Sequence, residues 1–257
     1  MQINERIRFN EREYIELLKR AKESYQFLTF DRFQEAEEGV IWRHDVDISP
    51  HRALFMAKNE AKLSVVSTYF ILLNSSFYNF LEDRVIEIFR AIVSLGHRVG
   101  LHFQADQNDI NNKKEFISKL LWQKSIIERV LGVSVDSFSF HQPTKYLTEM
   151  YRACSYSGLI NAYADCFFRD IPYCSDSNGY WRYTDLRSFL DMGHKKIHVL
   201  THPCWWQKEE MYPRQRIERS CMGRLRHVMS KYDNGMERDG RKNLGKDTSE
   251  IIKSNFV

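Results

Sequence analysis

Short apolar runs separated by amphipathic stretches recur along the chain. Asn10 stands where a cap would open a helix over 11–23, with Tyr14, Leu17, Leu18 and Ala21 on one face. The run 40–42 predicts a strand that stops at His44-Asp45-Val46-Asp47. Ser49 then caps a helix whose first position is Pro50, with Leu54, Ala57 and Ala61 along it. The β-branched and aromatic run 65–73 reads as a buried strand. A helix follows over 81–95, stopped by Gly96, and a strand over 98–103. Next come a long helix over 113–131, ended by Gly132, and a strand over 135–140. The spacing then predicts a short helix over 148–156, weak strands over 159–163 and 171–174, and a short helix over 185–190. A clear strand over 196–201 and a last helix over 214–231 complete the pattern. Beyond Tyr232 the chain is rich in Asp, Gly, Asn and Lys, with a weak Ile251–Ile252 patch, and reads as a tail or surface strap.

Repeated strand–helix alternation implies an α/β fold with a parallel sheet, either open and doubly wound or closed into a barrel. No Gly-x-Gly follows the first strand, which disfavours a dinucleotide-binding fold. The 257 residues, 43% hydrophobic and 28% charged, suit one large domain or two small ones and exclude wholesale disorder. No apolar run approaches the roughly 18 residues of a membrane span. The first eight residues lack the apolar core of a secretory leader. The five cysteines are odd in number and form no C-x-x-C pair, so reduced thiols and a cytoplasmic location are expected. The formal charge of +4 is unevenly placed. Residues 214–257 carry 11 Lys/Arg against 6 Asp/Glu, whereas residues 1–213 carry 27 against 28. The expected division is therefore 1–213 as the α/β domain and 214–257 as a basic helix and tail. This pattern argues against a nucleic-acid partner and leaves the tail able to touch a membrane surface.

The chemistry-bearing residues fall at strand ends, where parallel α/β folds collect functional groups. The first strand ends in Asp45 and Asp47. The third ends in His102, with Asp106 four residues on. Later ones end in His141, Asp176 and His202. His202 is followed by Pro203-Cys204-Trp205-Trp206, a rigid aromatic loop. His44 should point away from Asp45. His51, His97, His194, His198 and His227 read as helix- or strand-surface residues. Carboxylates and imidazoles converging with an open position suit a hydrolytic divalent metal: zinc first, with cobalt, nickel, iron or manganese as alternatives. Asp45 and Asp47, two apart, can share one face, so that one binds metal while the other faces water.

The segments His44-Asp45-Val46-Asp47, Ser67-Thr68-Tyr69-Phe70 and Gly96-His97-Arg98-Val99-Gly100-Leu101-His102 resemble the polysaccharide deacetylase family, the NodB-homology carbohydrate esterases. Ser139-Phe140-His141-Gln142-Pro143, Ser175-Asp176-Ser177, Tyr180-Trp181-Arg182 and Leu200-Thr201-His202-Pro203 continue the resemblance in order, over roughly residues 38–206. It is nearest to the intracellular-type branch associated with surface-polysaccharide and glycan biosynthesis. The resemblance implies a distorted (β/α) barrel of about seven parallel strands. It implies Asp45 as catalytic base, Asp47 and His102 as metal ligands and His202 as catalytic acid. The family's usual third ligand, a histidine, falls at Asp106, which can still bind a hard metal and is taken as the third ligand, and its usual arginine beside the base falls at His141, which either substitutes for it or binds the metal itself. Trp181 and Trp205 would wall a sugar pocket, with His141 and Asp176 beside the substrate.

The implied reaction is removal of an N-acetyl or other N-acyl group from an amino sugar, free or nucleotide- or lipid-linked, with an oxyanion held near the Thr144 N–H. Two alternatives stand beside it. One is a sugar-binding or scaffold protein whose metal site is lost at Asp106 and His141. The other is a cysteine hydrolase built on Cys204 and His202.

Overall fold

The computed structural model describes residues 9–106 and 112–246. The Ile251–Ile252 patch lies outside them. The strands are β1 (Phe27–Leu28), β2 (Gly39–Val46), β3 (Thr68–Ile71), β4 (Arg98–Phe103), β5 (Ser137–Phe140), β6 (Ser155–Tyr156), β7 (Leu159–Asn161), β8 (Tyr173–Ser175) and β9 (Lys196–Thr201). The helices are α1 (Glu11–Ser24), α2 (Phe30–Phe33), α3 (Pro50–Lys62), α4 (Asp83–Ser94), α5 (Lys113–Leu131), α6 (Lys145–Met150), α7 (Asp165–Phe168), α8 (Leu186–Asp191) and α9 (Pro213–Arg238). The sheet order is β6-β7-β5-β4-β3-β2-β9-β8, with β1 added beside the first half of β2. Every pairing except β6–β7 is parallel. Eight strands in parallel pairings, seven of them on the main path and β1 beside it, form with the helices between them the distorted (β/α) barrel expected.

The chain forms two compact units, Met1–Ile217 and Glu218–Val257. The second holds the C-terminal part of α9 and the turns after it, where Asn243 donates to Asp233 at 2.7 Å. No helix among the described residues is long and apolar enough to cross a membrane.

Helix starts follow the capping chemistry. Asn10 accepts from the Glu13 N–H, Ser49 from the Arg52 N–H, and Asn112 from the Lys114 and Glu115 N–H groups. Two elements depart from the sequence pattern. The helix expected over 148–156 begins earlier, at Lys145, because Thr144 accepts from the Leu147 N–H and fixes the first turn there. Ser155–Tyr156 instead pairs antiparallel with β7 through Ser157-Gly158, both with positive φ, the geometry of a two-residue hairpin turn. The last helix runs through the Asp233-Asn234-Gly235 signal to Arg238.

Period-two alternation on β2 sorts its side chains. Trp42, His44 and Val46 lie under the helices, while Ile41, Arg43 and Asp45 face the barrel interior. Space inside is tight. Gly100 on β4 is in register with Phe70 on β3, and a Cβ there would sit 2.4 Å from the Phe70 ring. Only glycine leaves room for that ring. Phe30 and Phe33 of α2, together with Phe167, pack into the same interior cluster as Ile41 and Phe70.

The outer face of β2 is held by a buried carboxylate. Glu60 on α3 receives Tyr14 Oη, Tyr69 Oη at 2.7 Å and His44 Nε2 at 2.8 Å, with His97 Nδ1 at 3.6 Å. His44 Nδ1 in turn meets Thr201 Oγ1 at 2.7 Å, and its ring stacks on Tyr69. His44 thus turns away from Asp45, as the alternation predicts. His97 and His198, expected on the surface, are buried instead. His97 faces Glu60 and the Ala57 carbonyl, and His198 bonds the Phe167 carbonyl.

Burial would raise the Glu60 carboxyl, but His44 and the other partners hold it down to about 2. A carboxyl depressed below its unfolded value of 4.5 stabilises the fold above that pH and loses the contribution as pH falls toward 2. Glu60→Gln should therefore lose about 2–4 kcal/mol at pH 7. In urea unfolding followed by circular dichroism, the gap to the parent protein should shrink between pH 4.5 and 2. A gap independent of pH would show that the charge is not what Glu60 contributes.

Candidate metal centre and active site

Three neighbouring parts of the barrel bring Asp47, His102 and His141 together. Asp47 follows β2, His102 sits within β4, and His141 follows β5. The three offer ligand atoms that all lie within 4.8 Å of one another. His102 Nε2 is 3.0 Å from Asp47 Oδ1 and 3.3 Å from His141 Nδ1, and His141 Nδ1 is 3.6 Å from Asp47 Oδ1.

Ser139 on β5 orients the His102 ring. Its Oγ lies 2.6 Å from His102 Nδ1 and donates to Asp45 Oδ1 at 3.5 Å. With Nδ1 held by that hydroxyl, the imidazole presents Nε2 to Asp47. A ring nitrogen and a carboxylate oxygen 3.0 Å apart are placed to share either a proton or a cation between them. One carboxylate and two imidazoles fit a divalent cation with positions left open for water and substrate.

Asp45 is buried inside the barrel beside this cluster. Its Oδ2 lies 3.7 Å from His102 Nε2 and 3.6 Å from Arg43 Nη2. Arg43 is fully buried, its guanidinium 4.7 Å over the Tyr163 ring and 5.5 Å from the Phe70 ring centre. Burial opposes the charge on Arg43, but the facing Asp45 raises its pKa above the ordinary value.

His202 closes the other side. Its Nδ1 meets Asp176 Oδ1 at 2.6 Å, and its backbone N–H donates to the same carboxylate at 2.9 Å. Trp206 Nε1 donates to Asp176 Oδ2 at 2.9 Å, so the buried Asp176 is held on both oxygens. His202 Nε2 points to Asp47 Oδ2 at 3.8 Å. Burial would lower the His202 pKa, but the Asp176 hydrogen bond and the charges of Asp176, Asp47 and Asp45 push it up to about 9. Burial would likewise raise the Asp47 carboxyl, yet the facing His102, His141 and His202 hold it well below the usual carboxylate range.

Asp45, Asp47, His102, His141, His202 and Trp205 all line one cavity of about 660 Å³. Placement corrects several sequence expectations. Asp106 does not join the cluster: it is exposed and paired with Lys119 Nζ at 2.8 Å, while His141 stands third beside Asp47 and His102. Trp181 does not reach the cavity, because its ring packs on Phe9 and Trp206 in the core. Asp176 lies behind His202 rather than in the cavity, and orients that imidazole. Thr144 serves as the cap of α6 and is not in the lining, which reaches Gln142 and Pro143. Gln142 has a φ of 49°, an unusual conformation for a side chain of its size, directly after His141. Cys204 is buried outside the cavity and burial pushes its thiol well up, which removes the cysteine-hydrolase alternative.

Sequence reasoning missed Arg43 and Ser139 as parts of the site. Both were legible as alternation partners, each two positions before a strand-end residue: Arg43 before Asp45, and Ser139 before His141.

No family model matches the chain, and no curated protein matches it. Among solved structures it is similar to a CE4 esterase from Streptococcus mutans, with 15% identity over 83% of this chain and 90% of that one, and a TM-score of 0.47. It is also similar to the deacetylase PplD of Streptococcus pyogenes in complex with acetate, with 10% identity over 84% and 88% and a TM-score of 0.46. A third is a family 4 acetyl xylan esterase from Clostridium thermocellum in complex with a cobalt ion, with 13% identity over 74% and 84% and a TM-score of 0.43. Solved structures of carbohydrate esterases and polysaccharide deacetylases are thus what this chain is similar to, at identities and scores too low to carry an activity across.

Proposed function

We propose that this protein is a divalent-metal-dependent hydrolase that removes an N-acetyl or other N-acyl group from an amino sugar, in the assembly of a surface polysaccharide or glycan. The observation that carries the reading is the meeting, in one cavity, of Asp47, His102 and His141 with a separate carboxylate, Asp45, and a carboxylate-held imidazole, His202. Asp47, His102 and His141 would hold the metal, with zinc first among the ions that suit this donor set. When bound, such an ion supplies Lewis-acid polarisation of the acyl oxygen and a water of lowered pKa.

The chain's own groups divide the proton chemistry. Asp45 accepts a proton from the attacking water, held in place by Arg43 and Ser139. His202, oriented by Asp176, gives its Nε2 proton to the departing nitrogen. An amine leaves poorly unless protonated, so an acid opposite the base suits an amide bond. The indole of Trp205 and the rings of Tyr163 and Tyr173 line the cavity and offer apolar faces to a sugar ring.

Asp45→Asn should keep divalent-metal binding within about threefold and lower turnover by about 10²–10⁴-fold. Calorimetric zinc titration and acetate release from N-acetylated chito-oligosaccharides give the two readouts. Loss of metal binding instead would make Asp45 a ligand and overturn the division of roles. A metal-loaded protein that binds the oligosaccharides but releases no acetate would favour the sugar-binding alternative.

The ligand set has its own test. His141→Ala should weaken zinc affinity by more than about 100-fold, whereas Asp106→Ala should leave it unchanged. The reverse ranking would restore Asp106 as the third ligand.

A further inference from the structure

Folding brings together two cysteines that are 12 positions apart in the chain and far from any C-x-x-C spacing. Cys154 Sγ lies 2.6 Å from Cys166 Sγ, well inside the contact distance of two non-bonded sulfurs. The backbone around them is fixed by buried hydrogen bonds. Asn161, fully buried, donates from its side chain to the carbonyls of Tyr151 and Ala153, and from its backbone to the Cys154 carbonyl. Its Oδ1 accepts the Tyr163 N–H on the way into α7, the short helix that carries Cys166. The approach of the two thiols is therefore built into the β6–β7 hairpin and its flanks.

We propose that Cys154 and Cys166 form a thiol pair that closes into an intrachain disulfide on meeting a small-molecule disulfide. Accessibility fits, because Cys154 is exposed and Cys166 half-buried. Gln34 Nε2 lies 3.5 Å and 3.2 Å from the two sulfurs and donates toward both. A metal–thiolate site fits less well. Among the described residues, the cluster of three potential ligands is the one at Asp47, and no third His, Cys, Asp or Glu is grouped with this pair.

Cys154 is exposed while Cys166 is half-buried, so Cys154 is the sulfur that meets the oxidant first. Its thiolate attacks one sulfur of the oxidant, forming a mixed disulfide and releasing one thiolate. Cys166 then attacks the Cys154 sulfur, giving up its proton to the medium and expelling the second thiolate. Two protein thiols are oxidised by two electrons, and one disulfide is reduced to two thiols. The bond would close a loop holding the β6–β7 hairpin and Tyr163, and Tyr163 and Phe168 on either side of Cys166 line the cavity. Oxidation would thus staple the sheet's hairpin edge beside the site.

The test uses the full chain in a Cys221→Ser background, which silences the exposed cysteine of the second unit. The protein is equilibrated with oxidised glutathione, then unfolded in alkylating reagent and mapped by non-reducing peptide mass spectrometry. The expected result is loss of two thiols per chain, a 154–166 cross-linked peptide, monomeric mobility, and a melting temperature raised by several degrees. Cys166→Ser should instead stop at a glutathione adduct on Cys154. A stable adduct on Cys154 with Cys166 still free in the parent background, or an unchanged thiol count, would overturn the proposal. Neither outcome bears on the hydrolase reading, which does not use these cysteines.

Discussion

One carboxylate facing three imidazoles is the constraint on which the site depends. Asp47 meets His102 at 3.0 Å, His141 at 3.6 Å and His202 at 3.8 Å. Such a gathering of lone pairs and a negative charge is stable only if positive charge lies among them. Each neighbour is placed to meet that demand. Ser139 holds His102 with Nε2 inward, and Asp176 holds His202 with its other nitrogen toward Asp47. A divalent cation satisfies the first arrangement and a shared proton the second.

The gathering is possible because the two faces of β2 carry opposite polarity problems and solve them separately. On the inner face Arg43 balances Asp45, within reach of aromatic rings that exclude water. On the outer face Glu60 faces His44, with Tyr14 and Tyr69 completing the carboxylate's bonds. A slip of one residue in the register of β2 would exchange the two faces, placing His44 in the cavity and Asp45 beneath α3. The polar contacts on both sides would be lost together in such a slip, which ties the strand's register to them. Gly100 belongs to the same economy of space, because only its missing side chain admits Phe70 beneath the site.

Most of this fold was legible in local sequence. The long helix over 113–131 and the strands over 98–103 and 196–201 match their elements, because the apolar period, caps and stops all agree there. Errors came where a local signal had two meanings. Ser157-Gly158 reads equally as a helix stop and as a hairpin turn, and only pairing with β7 decides for the hairpin. The strand-end rule found Asp45, Asp47, His102, His141 and His202, and all of them line the cavity. It misplaced Asp106, because three residues past the end of β4 the chain has left the barrel mouth, and that carboxylate meets Lys119 instead. Trp181 was misread for a related reason: a large aromatic near the site serves the core as readily as a ligand, and here Phe9 and Trp206 claim it. The pairing of Cys154 with Cys166 was invisible, since it depends on the hairpin that the sequence pattern concealed.

The central claim is that Asp47, His102 and His141 together hold one divalent cation. An anomalous-difference map from crystals grown with zinc, recorded on both sides of the zinc edge, tests it most directly. The account predicts one strong peak per chain, bonded to Asp47, His102 and His141, with Asp45 and His202 outside its bonding distance. No peak in the cavity, or a peak bonded to Asp106 in place of His141, would contradict it.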